Sequence, residues 1–163
     1  AGAAKRARRV VVLLGGVAAV LVDDVIPAAK DANVTALYQC GWAATAGEDK
    51  RSCTIAGRKG QMRVQTFGPE LELAIEDRQF AKSWGWRILA EKGQVDWHTA
   101  KGTYRPDPAR PLVTVLLPAA GKAATVGRAQ CTFADGRIAV TLPGGQGVAF
   151  KKTATGWVAE PPK

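Results

Sequence analysis

Apolar and polar positions divide this chain into two regimes. From Val10 to Val22 there is no charged residue, and only Gly15 and Gly16 interrupt the apolar side chains of Val10, Val11, Val12, Leu13, Leu14, Val17, Val20, Leu21 and Val22. Lys5-Arg-Ala-Arg-Arg9 precedes the run and Asp23-Asp24 closes it. A cationic flank before an apolar core is the pattern of a secretory signal, whose basic end stays on the cytoplasmic side of the bilayer. As a helix the run rises about 20 Å, short against a hydrocarbon core of about 30 Å. The reading favoured is an uncleaved signal-anchor: a short N-terminal hydrophobic helix within residues 1–26, then a tether over 27–35. The competing reading makes the same run a strand or a helix buried in a protein core. A nucleotide-binding turn at Gly15-Gly16 is rejected, because the third glycine of GxGxxG spacing is missing.

From Ala36 onward apolar residues alternate with polar ones, and turn residues recur at even intervals, as in an antiparallel sheet with one buried face. Tyr38, Cys40 and Trp42 share one parity; Cys53 and Ile55 resume after a polar turn, and Met62, Val64 and Thr66 follow Gly57-Arg-Lys-Gly60. Leu71, Leu73 and Ile75 alternate with Glu70, Glu72 and Glu76, which predicts a strand over 70–76 in preference to a helix starting at Pro69. Trp84, Trp86 and Ile88, returning through Val95 and Trp97, predict a hairpin. Asp135-Gly136 between two alternating runs is the sharpest local signal, since a two-residue I′ turn needs positive φ twice. The whole reads as a mainly β, antiparallel sandwich or small barrel of about nine or ten short strands, forming an all-β domain over 36–160.

Composition narrows the chemistry. The chain of 163 residues holds 3 Cys and 1 His, too few for the close ligand pairs of a zinc site or for an obvious nucleophile-base pair. Cys40 and Cys53, flanking what reads as one hairpin turn, are the disulfide candidates if the domain lies outside the cytoplasm. Ser52 and Ser83 lack the sharp-turn setting of a nucleophile, and the acids at 70, 72 and 76 fall on one solvated strand face instead of opposing across a cleft. No catalytic residue, metal or cofactor is expected. The formal charge of +9 admits an anionic partner, with Lys50, Arg51, Arg58, Lys59 and Arg63 as a basic rim at one end of the sheet. The function expected is a membrane-anchored, non-catalytic β-domain on the extracytoplasmic side, serving as an accessory or structural subunit of a larger membrane or envelope assembly. The alternative is a soluble basic β-protein that associates with nucleic acid as part of a structural shell.

Overall fold

The computed structural model describes residues 4–79, 96–121 and 126–161. The described residues contain strands and no helix, so the expected N-terminal helix is replaced by two strands, β1 (Ala4–Leu14) and β2 (Ala18–Pro27). Gly15 and Gly16 begin the three-residue connection between them, with φ of +43° and +76°, left-handed values that glycine adopts freely. Val17 N–H closes the turn on the Leu14 carbonyl at 2.7 Å. Charges lock the register: Arg9 pairs with Asp23 and Arg8 stands opposite Asp24, so the basic flank and the acidic closure of the apolar run are the two arms of one hairpin. No helix among the described residues is long and apolar enough to cross a membrane.

The remaining strands are β3 (Val34–Cys40), β4 (Ala44–Ala46), β5 (Ser52–Ala56), β6 (Gly60–Phe67), β7 (Ala74–Gln79), β8 (Asp96–Tyr104), β9 (Leu112–Ala120), β10 (Gln130–Ala134), β11 (Arg137–Thr141), β12 (Gly147–Thr153) and β13 (Gly156–Ala159). They form three antiparallel sheets, ordered β1-β2-β9-β6-β5-β4, β10-β11-β12-β13 and β3-β8-β7, and none closes into a barrel. Asp135 and Gly136 join β10 to β11 with φ of +48° and +71°, as their sequence predicts. The strand expected over 70–76 begins only at Ala74. Leu71 and Leu73 are nevertheless buried and Glu70 and Glu72 exposed, so the alternation holds, and Leu73 N–H donates to the Lys50 carbonyl at 2.6 Å. The expected tryptophan hairpin falls largely on residues 80–95, outside the described residues.

The six-stranded sheet lies between the other two, and β9 shows why. Its Val113, Val115 and Leu117 join Val20 and Val22 of β2 in a core completed by Ile138, Val140, Phe150 and Trp157 of the four-stranded sheet. Its opposite face carries Leu112, packed with Tyr104, and Leu116, packed with Val64, Cys53 and Ala100 under the three-stranded sheet. A strand covered on both faces is apolar throughout, which hides the period-two pattern. Two polar links tie the layers. The Gln65 side-chain amide both donates to and accepts from the Ala129 backbone, at 3.2 and 3.0 Å. Tyr38 and Thr114 hydroxyls meet at 2.7 Å between the central and three-stranded sheets.

Burial pushes the Tyr38 phenol up to about 12, with the nearby Asp23 carboxylate adding to the shift and the Thr114 bond opposing it. The ordinary tyrosine value is about 10. The fold therefore holds the neutral phenol, and its contribution is complete below pH ~10 and lost as pH rises from ~10 to ~12, a linkage of about 2–3 kcal/mol. Tyr104 is shifted in the same direction, again by burial. Thermal melts combined with phenolate absorbance should show the melting temperature falling across that window, with ionisation of Tyr38 coinciding with unfolding; ionisation in the folded protein near pH ~10 would contradict the buried placement.

Candidate interaction surface

Among the described residues, the apolar clusters beneath the three-stranded sheet include no residue of β1. On that side of the central sheet β1 and β2 present Arg9, Val11 and Leu13 opposite Asp23, Leu21 and Ala19. Arg9 Nε and a terminal nitrogen grip both Asp23 oxygens, at 2.5 and 2.8 Å, a two-pronged pair beside Tyr38. Beyond it the surface turns apolar: Val11 is 52% exposed, Leu13 77% and Val17 42%. On the reverse face of the same strand Val10, Val12 and Leu14 pack against the core shared with the four-stranded sheet. Alternation thus sends one half of the apolar run inward and leaves the other half in solvent. Of the residues read as a membrane anchor, Val20 and Val22 are 0% exposed inside the protein, Leu21 is partly covered, and Val11, Leu13 and Val17 form the exposed patch.

Lower on the same hairpin the Asp24 carboxylate is 1% exposed and receives Arg6 at 2.7 Å. Gly156, at φ +125°, seats the β12–β13 turn against this pair. A Cβ there would lie 2.5 Å from the carboxylate, so no side chain fits. Arg8 reaches the Thr155 carbonyl of that turn at 3.4 Å. The hairpin, itself part of the central sheet, is thereby fastened to the four-stranded sheet, by apolar packing of Val10, Val12 and Leu14 and by the β12–β13 turn seated on its buried Arg6–Asp24 pair.

The other candidate residues are dispersed. Lys50-Arg51 and Arg58-Lys59 lie in successive turns of a meander, which places them at opposite ends of β5, about 17 Å apart. Lys50 pairs with Glu72 at 3.3 Å. Arg51 is a strut, donating to the Pro69 carbonyl at 2.6 Å and the Thr66 carbonyl at 3.4 Å. Arg63 stands opposite Leu117 on β9, so it shares the face of that residue. The expected basic rim at one end of the sheet is not assembled. Ser52 is buried and its hydroxyl donates to Asp49 at 2.8 Å. Glu76 pairs with Lys101 at 3.1 Å.

Cys40 and Cys53 do not flank a hairpin. The first ends β3 beside His98 of β8, the second lies on β5 opposite Val64, so the chain crosses from one sheet to another between them. Cys40, Cys53 and Cys131 are free thiols. Cys40 Sγ donates to the His98 carbonyl at 3.3 Å. Burial pushes Cys53 up to about 11, with Cys40 nearby adding to the shift, and Cys131 up to about 12, so both stay protonated at neutral pH and are poor nucleophiles. Among the described residues no group of three or more His, Cys, Asp or Glu could hold a metal ion.

No protein-family model matches the sequence, and no curated protein matches it. The fold is similar to part of a solved structure described as a heparinase III gene product, with a TM-score of 0.62 at 20% identity. The match covers 89% of this chain and 23% of that one, so this chain corresponds to a minor part of the larger protein's length. At that identity the likeness shows the fold alone.

Proposed function

We propose that the chain is a non-catalytic β-module that braces a larger protein assembly through the exposed side of the β1–β2 hairpin. The observation that carries this reading is the exposed row of Val11, Leu13 and Val17, contiguous with the Arg9–Asp23 pair, on a hairpin otherwise anchored firmly in the fold. Contiguous apolar surface with a polar border is the make-up of a protein-binding patch. Ser52, Glu72 and Glu76 are engaged in local bonds, and burial keeps the Cys53 and Cys131 thiols protonated. A fold that makes up a small share of a longer chain elsewhere is also in keeping with a modular role.

The test is the native size of the protein in extracts of its source. The wild type is expected in a species larger than its monomer, and the pair Val11→Asp with Leu13→Asp is expected to return it to the monomer. Both positions are exposed, so the variant should stay folded with a loss of no more than about 2 kcal/mol, mostly from the low strand propensity of aspartate, checked by denaturant unfolding. A monomeric wild type, or a folded variant that remains in the large species, would overturn the reading.

A further inference from the structure

We infer that the outer edge of β1 is a docking rail for one extended peptide segment, antiparallel to β1, whose apolar first half is followed by carboxylates. The inference deepens the bracing role proposed above and rests on it for the existence of a partner. Among the described residues β1 is the end strand of the central sheet, its backbone pairing with β2 on one side only. It runs for 11 residues, whereas the edge at the other end of that sheet, β4, has 3, and the edges of the four-stranded sheet have 5 and 4. Proteins guard sheet edges with brevity, proline, bulges or charges. β1 has its register irregularity between Ala4 and Arg6 and its charges between Lys5 and Arg9, which leaves Val10–Leu14 without any of these devices.

The chemistry of the occupant follows from what already satisfies this strand. On the inner side β2 sets apolar residues against Val10–Leu14, and Asp23 and Asp24 against Arg9 and Arg8. Asp23 is taken by Arg9 and Asp24 by Arg6, so on the outer side Lys5 and Arg8 still lack a carboxylate: among the described residues neither forms an ion pair, and Arg8 meets the Thr155 carbonyl. An antiparallel segment that begins apolar and ends acidic completes both halves. Backbone bonds then supply affinity, and side chains set register and direction. A second copy of β1 fits less well, because it brings a further basic flank to a chain already at +9.

The probe is a labelled, capped peptide copying residues 19–26, added to the full-length chain and followed by anisotropy. We expect saturable binding that weakens by about tenfold or more when the peptide's two aspartates become lysines. Two further peptides carry N-methyl groups on alternate residues, one set on each parity. A strand added at one edge uses the N–H groups of one parity only, so one peptide should bind within about twofold of the parent and the other should lose about tenfold or more. Hydrogen exchange should show the chain's own β2 still protected, which separates addition from exchange of strands. Absence of binding, equal loss from both N-methyl sets, no effect of the charge reversal, loss of β2 protection, or self-association of the chain alone at the same concentrations would each overturn the inference. A chain that sits in a large species in native extracts yet ignores these peptides would sink the docking rail and leave the bracing role standing. The converse result, binding by a chain that is monomeric in extracts, would sink the role and leave the edge chemistry intact.

Discussion

Val22→Asp abolishes cooperative folding of the protein, with an expected loss of at least about 4 kcal/mol. Val22 is 0% exposed, flanked in the sheet by Val10 and Val113, and packed in the core that reaches Phe150 and Trp157. An aspartate there has no hydrogen-bond donor among these apolar neighbours, so the chain must either hold a proton on the buried carboxyl or open the core. The substitution separates the two accounts of the apolar run. At the end of a lipid-embedded helix it would extend Asp23-Asp24 by one residue at the interface and be mild. Denaturant unfolding followed by tryptophan fluorescence provides the readout; a variant that keeps a cooperative transition within about 1 kcal/mol of wild type would show that Val22 is not where the fold places it.

Arg6→Met costs about 3 kcal/mol, at the lower end of the range for breaking a buried pair, because the Arg6 side chain keeps 34% exposure and Arg8 lies close to the same site. The loss comes from Asp24, 1% exposed in the wild type, whose carboxylate loses its ion-pair partner. Replacing both residues, Arg6→Met with Asp24→Leu, removes the stranded carboxylate as well and should recover most of the stability. The double-mutant cycle measures this directly. A single variant as stable as wild type would mean that Arg6 contributes nothing to satisfying Asp24, and a double variant less stable than either single would mean that the pair is needed for more than charge compensation.

These two substitutions fall in the part of the chain whose sequence is hardest to interpret. Alternation at Tyr38 and Cys40, at Cys53 and Ile55, and around Asp135-Gly136 is legible because those strands have one covered face or a turn that only certain residues can make. β2 is enclosed by β1, β9 and the four-stranded sheet, and β1 adds apolar residues to both faces, so hydrophobic periodicity fades and length alone suggests a membrane segment. A different signal was present. Gly-Gly between two β-branched runs marks a hairpin, and Arg8-Arg9 and Asp23-Asp24 stand at matching distances on either side of the three-residue connection Gly15-Gly16-Val17, as an antiparallel ladder requires.

The patch and the dispersed charges differ in legibility for similar reasons. Exposure of Val11 and Leu13 depends on how far the three-stranded sheet reaches, a tertiary fact that no local pattern encodes. The separation of Lys50-Arg51 from Arg58-Lys59, by contrast, follows from the meander itself, because consecutive turns lie at opposite ends of the strand between them. Cys40 and Cys53 similarly depend on a sheet change between residues 41 and 51 that their spacing does not reveal.

Hydrogen exchange of the intact protein tests most directly whether the apolar run is part of the central sheet. The amides of Val20 and Val22 should exchange among the slowest in the chain and together with those of Val113 and Val115, because β2 and β9 are adjacent strands of one buried ladder and open as one unit. Exchange of residues 18–22 at the rate of a free chain end, while Val113 and Val115 stay protected, would contradict the account.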